Sequence, residues 1–265
     1  MNAIDQFLSQ VLIVDTECTH AQPDQAQIVE LGVAQWNQTA QDWQTESQLY
    51  QAHMPPAASA VTGISNRMLA HTQPFGSDAD QLLDMLAINL PIWVAHNVQY
   101  DRTVITTNLQ NTIPELAQVV DQQITWLCTL RLARHTWCNS ESFQQNYLRY
   151  WLELPVPDSV SVHRAGADVI TCGALLQRIC SDLIDQNRLD VTLPLAPQLT
   201  ELCASAIPIM KWPFGKHKGK LIADLDTDYL LWCVDNMNSF NHKDPDFDLD
   251  LYESVRHNLE SRLVE

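Results

Sequence analysis

Between Val11 and Val14 the chain is wholly apolar, and the run ends on Asp15 and Glu17. A short apolar run stopped by polar residues reads as a buried strand. QIVELGVAQW, Gln27 to Trp36, alternates Val, Leu and Trp enough for a second strand, and SQLYQAHM predicts a third. PIWVAHN is another buried run, followed by a helix over Tyr100–Leu109. ITWLC predicts a short strand feeding a helix over Thr129–Trp137. The clearest period lies between Arg164 and Gln186, where Ala165, Val169, Cys172, Leu176, Ile179 and Leu183 step by four and three. Such a stripe lays one helical face on a sheet. Strands first, then strands mixed with helices, predict an α/β fold: a mixed sheet flanked by helices.

The pattern weakens after the striped helix. Arg188 to Pro208 holds three prolines and no clear period, which predicts a linker with a short helix over Glu201–Ala206. The expected organisation is a domain over 1–187, a linker over 188–207 and a small module over 208–265. Composition sharpens this division. The chain has 265 residues and a net charge of −17, and all of its lysines lie between Lys211 and Lys243. So acidic a chain does not capture nucleic acid broadly through charge alone. Its seven cysteines include no C-x-x-C pair, which indicates neither a disulfide framework nor a zinc knuckle. Reduced thiols predict a cytoplasmic protein. No stretch approaches the roughly 20 apolar residues of a membrane span, and MNAIDQF has no signal-peptide pattern, so no membrane partner is expected.

Candidate chemistry begins with the acids. On a strand, Asp15 and Glu17 project from one face about 7 Å apart, where like charges repel unless a cation sits between them. A D-x-E triplet alone is common by chance, so its company decides its meaning. Asp101 follows the PIWVAHN strand at a helix start, and Asp168 opens the striped helix five residues after His163. An acid in a first helical turn also has an ordinary role in complementing the helix dipole. His-x4-Asp occurs a second time at His96 and Asp101, so that spacing is not diagnostic. Strand ends and helix starts meet at one sheet edge, where four carboxylates call for hard cations such as Mg²⁺ or Mn²⁺. A histidine beside them titrates near neutrality and is able to take a proton from water.

VDTE, HNVQYD and HRAGAD together resemble, in order, the three motifs of the DEDDh 3′→5′ exonucleases. The resemblance covers Val11 to Gln186 and is specific as an ordered trio. VTGISNRML is similar to the segment that wedges against the terminal nucleotide, and CTLRLARHTW to the strand and helix after the second motif. PFGKHKGKLIADLDTDYLLWC looks like the PFGK-x-x-GK tail of one branch of the family. The resemblance implies a ribonuclease-H-like fold and two Mg²⁺ or Mn²⁺ ions. It makes Asp15 their bridge, assigns Glu17 and Asp168 to the nucleophile side, and gives Asp101 to the leaving-group ion. His163 becomes the general base, since Arg164 stands where the family's tyrosine variant has Tyr.

That segment points to substrate contact at Thr62, Gly63 and Ile64, with Ile64 either the wedge or plain core packing. Thr16 and Asn97 are also expected at the substrate, Asn97 by shaping the site. In the tail, the lysine run with its glycine spacing predicts either phosphate contact by Lys216, Lys218 and Lys220, with Trp212 and Phe214 as stacking faces, or a solvated basic turn. Cys18, Thr19 and His20 stand where the family often has Thr-Gly, which affects the terminal-base pocket. The implied activity is removal of 5′-mononucleotides from single-stranded or frayed DNA 3′ ends, of repair or proofreading type. A homodimer and a polymerase or repair partner stay open. RNA trimming by the same site and a catalytically inactive binding subunit are the alternatives. KDPDFDLDLYE is no calcium loop, because Leu249 and Val255 fill positions that need glycine and glutamate. An exposed acidic surface is expected there instead.

Overall fold

The computed structural model describes residues 2–157 and 163–263. It divides into two compact units, Met1–Cys203 and Ala204–Glu265. In the first, α1 (Ala3–Leu8) leads into β1 (Val11–Cys18), β2 (Ile28–Asn37) and β3 (Asp42–Leu49). Helices α2 (Pro56–Thr62), α3 (Asn66–Leu69) and α4 (Ala79–Leu86) connect to β4 (Ile92–Ala95). Helices α5 (Val98–Thr112) and α6 (Pro114–Gln122) connect to β5 (Thr125–Cys128), and α7 (Thr129–Thr136) follows at once. Then come α8 (Gln145–Trp151), α9 (Ala165–Asp185) and α10 (Leu195–Ala204). The strands form one mixed sheet in the order β3-β2-β1-β4-β5. Strand β1 pairs antiparallel with β2 and parallel with β4.

Alternation along β1 serves both faces of this sheet. Val11 and Ile13 join the core that holds Val169, Cys172 and Leu176 of α9. Leu12 and Val14 join the opposite core with Val104, Ile105 and Leu109 of α5. Asp15 and Glu17 continue the odd positions, so they face the α9 side. Helix α9 lies unusually close to the sheet there. A Cβ on Gly32 would stand 2.3 Å from the Ala165 carbonyl carbon, and one on Gly166 would stand 2.8 Å from Ser47 Oγ.

Several expectations need correction. The first strand runs on through the acids, with Asp15 opposite Gly32 and Glu17 opposite Glu30. Backbone pairing does not depend on side-chain polarity, so the apolar run marked only the half of β1 that is buried on both faces. The third strand is Asp42–Leu49 rather than SQLYQAHM, because an edge strand that is mostly exposed carries little hydrophobic pattern. The expected linker contains α10, whose Leu195 and Leu199 are buried in the first core. Those anchors are four residues apart, one turn of helix.

The second unit has its own core, which includes Trp212, Ile222, Leu230, Phe240, Leu251 and Val255. Its longer helices are α11 (Thr227–Asn236) and α12 (Leu249–Leu263). The acidic stretch is more than a surface. Asp248 Oδ1 accepts from Leu251 N at 3.0 Å and starts α12, while the buried Asp250 accepts from Ile207 N at 2.9 Å. No helix among the described residues is long and apolar enough to cross a membrane.

Candidate active site

Asp15 and Glu17 on β1 and Asp168 in the first turn of α9 each offer a carboxylate oxygen within 4.8 Å of the others. Burial is the first cause that pushes Glu17 up to about 8, with Asp168 and Glu30 adding to it. Burial also raises Asp15 well above its ordinary value, followed by the charges of Asp101, Asp168 and Glu17. Asp168 is raised by burial and drawn back by His163. At neutral pH such a cluster holds protons or a cation, because three anions this close repel. The donor set is all carboxylate oxygen, which fits a hard divalent ion of the Mg²⁺ or Mn²⁺ kind.

Asp101 stands beside this trio rather than in it. Its Oδ1 accepts from Thr16 N at 3.1 Å and from Thr16 Oγ1 at 2.9 Å. These bonds oppose the burial that pushes Asp101 up to about 7. Thr16 was expected to touch substrate; its hydroxyl is committed to Asp101. Asn97 has a left-handed backbone, φ 65°, and is the cap that turns β4 into α5, so that Asp101 falls in the helix's first turn.

His163 is exposed and has a left-handed backbone, φ 59°. Its backbone N–H donates to Asp168 Oδ2 at 3.1 Å. Together with Asp15, His96, Gln145 and Asp168 it borders a cavity of about 450 Å³. His96 shares that cavity but has no nitrogen to offer. Its Nε2 lies 2.9 Å from the Phe143 carbonyl, which only accepts, so Nε2 carries the proton. Its Nδ1 then accepts from Thr129 Oγ1 at 3.0 Å. Burial pushes the ring down to about 4.

One acid was not singled out from sequence. Glu30 is buried on β2 and takes Arg164 in a two-pronged ion pair, Nε to Oε2 at 2.8 Å and Nη2 to Oε1 at 3.0 Å. Oε2 also accepts from Ala165 N at 3.2 Å, so Glu30 holds the start of α9. This contact sets where Asp168 sits. The available signal was a lone glutamate inside the apolar run of QIVELGVAQW.

A second cavity, about 510 Å³, adjoins the acids and is bordered by Glu17, Cys18, His20, Val61, Thr62 and Tyr100. Ile64 is wholly buried with Val29, Met54 and Leu69, so it cannot wedge between bases. The most exposed apolar residue of this segment is Val61, at 62%. Thr62 Oγ1 donates to the Ala58 carbonyl and accepts from Ile64 N, both at 3.1 Å, and Gly63 ends α2 at φ 70°. Both residues shape the turn that presents Val61. In place of Thr-Gly, Thr19 Oγ1 accepts from Gln27 N at 3.0 Å, and Tyr100 Oη donates to the His20 carbonyl at 2.8 Å. The pocket is therefore walled without a glycine.

Lys216, Lys218 and Lys220 are exposed in the second unit, with Lys216 Nζ 5.7 Å from the Tyr229 ring centre. Trp212 is 1% exposed and forms that unit's core, which removes it as a stacking face.

This architecture recurs among solved structures. Exonuclease X in complex with 5′ overhanging duplex DNA superposes with a TM-score of 0.52 at 21% identity, covering 73% of this chain and 99% of that one. E. coli Exonuclease I in complex with a dT13 oligonucleotide gives 0.54 at 15% identity, covering 67% and 42%. Cell-death related nuclease 4 gives 0.51 at 13% identity, covering 66% and 64%. No curated protein sequence matches the chain. Residues 198–241 match the family described as "Putative quorum-sensing-regulated virulence factor". Residues 12–176, more than half of the chain, match the model "RNase_T: Exonuclease", and with its acids in this order on this sheet the chain belongs to that family, the DEDDh exonucleases.

Proposed function

We propose that the chain removes mononucleotides from the 3′ ends of DNA by metal-dependent hydrolysis. The observation that carries this reading is the trio of Asp15, Glu17 and Asp168, lying between an apolar cavity and the cleft bordered by His163. Asp15, Glu17 and Asp168 would hold the cations, with Asp101 completing the set from its seat on Thr16. Two Mg²⁺ or Mn²⁺ ions bound there would activate water and ease departure of the 3′ oxygen. The terminal nucleoside enters the apolar cavity against Val61 and Tyr100, which excludes water and leaves its phosphate at the acids. His163 takes the proton of the attacking water, and its exposed ring returns that proton to solvent. An unpaired end suits such a site, because only an unstacked nucleoside can enter a cavity.

The DNA held by the two solved relatives supports DNA as the substrate. End-labelled DNA and RNA of one sequence, incubated with Mg²⁺ or with chelator, test this directly. Expected is stepwise loss from the 3′ end of DNA, releasing 5′-mononucleotides, blocked by chelator and by a 3′-phosphate. Faster RNA degradation would turn the reading to RNA trimming. Chelator-resistant or 5′-first release would overturn it.

A further inference from the structure

The described surface carries an aromatic cluster that the chemistry does not use. On α8, Tyr150 is 63% exposed and Trp151 45% exposed. Both rings are held in place. Trp151 stacks on Tyr147 at 6.5 Å and 25°, and meets Trp137 edge-on at 6.1 Å. The Arg149 guanidinium lies 5.2 Å from the centre of the Tyr150 ring, while its Nη2 donates to the Pro157 carbonyl at 2.8 Å. Large rings fixed in solvent form a surface suited to another flat apolar face.

Position says which face. Tyr147, Tyr150 and Trp151 border a depression with Gln144 and Asn146, and those two residues also border the cleft of Asp15, His163 and Asp168. Apolar cavity, acids, cleft and aromatic helix therefore follow one another across a continuous surface. The charge on this helix narrows the occupant further. The one cation of α8 is Arg149, which is buried and donates to the Pro157 carbonyl. A strand leaving the acids therefore meets exposed rings on α8 and no exposed cation. From Gln145 to Trp151 a helix rises about 9 Å, on the order of three stacked base steps of 3.4 Å.

We propose that α8 is a stacking ledge on which Tyr150 and Trp151 hold the bases two to four nucleotides upstream of the 3′ end. The proposal rests on the exonuclease reading and adds to it the residues that favour a single-stranded end. Every base has a face to stack, so the ledge is indifferent to sequence, but only unpaired bases reach it.

Equilibrium binding of fluorescent DNA to the full chain in chelator tests this without requiring hydrolysis. A 5′-mononucleotide and an octamer are compared for the parent, Tyr150→Ala/Trp151→Ala and Tyr150→Phe/Trp151→Phe, together with an octamer made abasic at the second to fourth positions. The parent should favour the octamer, and the alanine pair should shrink that advantage roughly 5- to 100-fold. The phenylalanine pair should keep most of it. The abasic octamer should bind the parent as weakly as the intact octamer binds the alanine pair, and removing both rings and bases should add nothing. An unchanged length advantage in the alanine pair, or an equal loss in the phenylalanine pair, overturns the ledge. So does a parent indifferent to length. Failure of the parent to degrade any 3′ end would instead overturn the exonuclease reading, which the binding series reports separately.

Discussion

At the scale of single residues, the site is defined by which groups have a free lone pair and which hold protons. Both His96 nitrogens are engaged, whereas His163 borders the same cleft with an exposed ring. His163→Ala should therefore lower kcat by about 10²- to 10⁴-fold, the usual share of a general base. Single-turnover rates at saturating DNA measure this, and substrate affinity should move far less. The acids make a second prediction. Glu17 titrates near 8 in the folded chain against an ordinary 4.5, so the folded state holds its proton longer than the unfolded one. Folding then loses stability as pH rises from about 4.5 towards 8, the reverse of a paired carboxylate. Metal-free protein should melt at lower temperature at pH 8 than at pH 5, and Mg²⁺ should restore more stability at pH 8. Glu17→Gln should raise metal-free stability at pH 8 by on the order of 1 kcal/mol, discounted for partial solvent access, while abolishing turnover. Denaturant titrations in chelator check the sign.

At the scale of elements, the position of Asp168 depends on how α9 meets β2. Gly32 lets the backbones touch, and Glu30 pins the helix start through Arg164 and Ala165 N. Arg164→Ala leaves Glu30, 1% exposed, without its cation. Removing one partner of a fully buried pair costs about 3–5 kcal/mol. Here the Arg164 side chain is 35% exposed, so about 2 kcal/mol is expected. Adding Glu30→Gln should recover most of that stability, because the orphaned charge is gone. Turnover should stay low in both variants, since neither restores the hold on α9. Chemical denaturation and DNA hydrolysis on the single and double variants separate the two effects.

At the scale of the whole molecule, charge is divided between the units. All the lysines lie at or beyond Lys211, and the loop that holds Lys216, Lys218 and Lys220 turns on Gly215 and Gly219, at φ 61° and 86°. Replacing these three lysines with alanine should weaken binding to long strands of any sequence. The slope of log K against log salt should drop by up to about 2–3, at roughly 0.7–0.9 per phosphate contact. An unchanged slope would show that the tail loop does not touch nucleic acid. Because Trp212 is in the core and the half-buried Phe214 packs edge-on against it, this contribution should come mainly from charge and fade at high salt.

The sequence by itself determined what depends on residue type and short-range period. VLIVDTE and the Arg164–Gln186 stripe announced a core strand and a sheet-covering helix, and the ordered acids announced the family. Those signals are local: alternation along a strand, a three-and-four step along a helix, a carboxylate near an element's end. Tertiary structure decided the rest. Glu30 and Arg164 are 134 positions apart and meet only because β2 and α9 pack together. Ile64 and Val61 are both aliphatic and three residues apart, yet one is wholly buried and the other 62% exposed. Trp212 reads as a stacking face beside its lysines and is instead core, as α10 reads as linker and is docked. In each case the residue's chemistry was legible, but its direction was set by a neighbour distant in sequence. Burial and exposure belong to the packed whole, and no local pattern carries them.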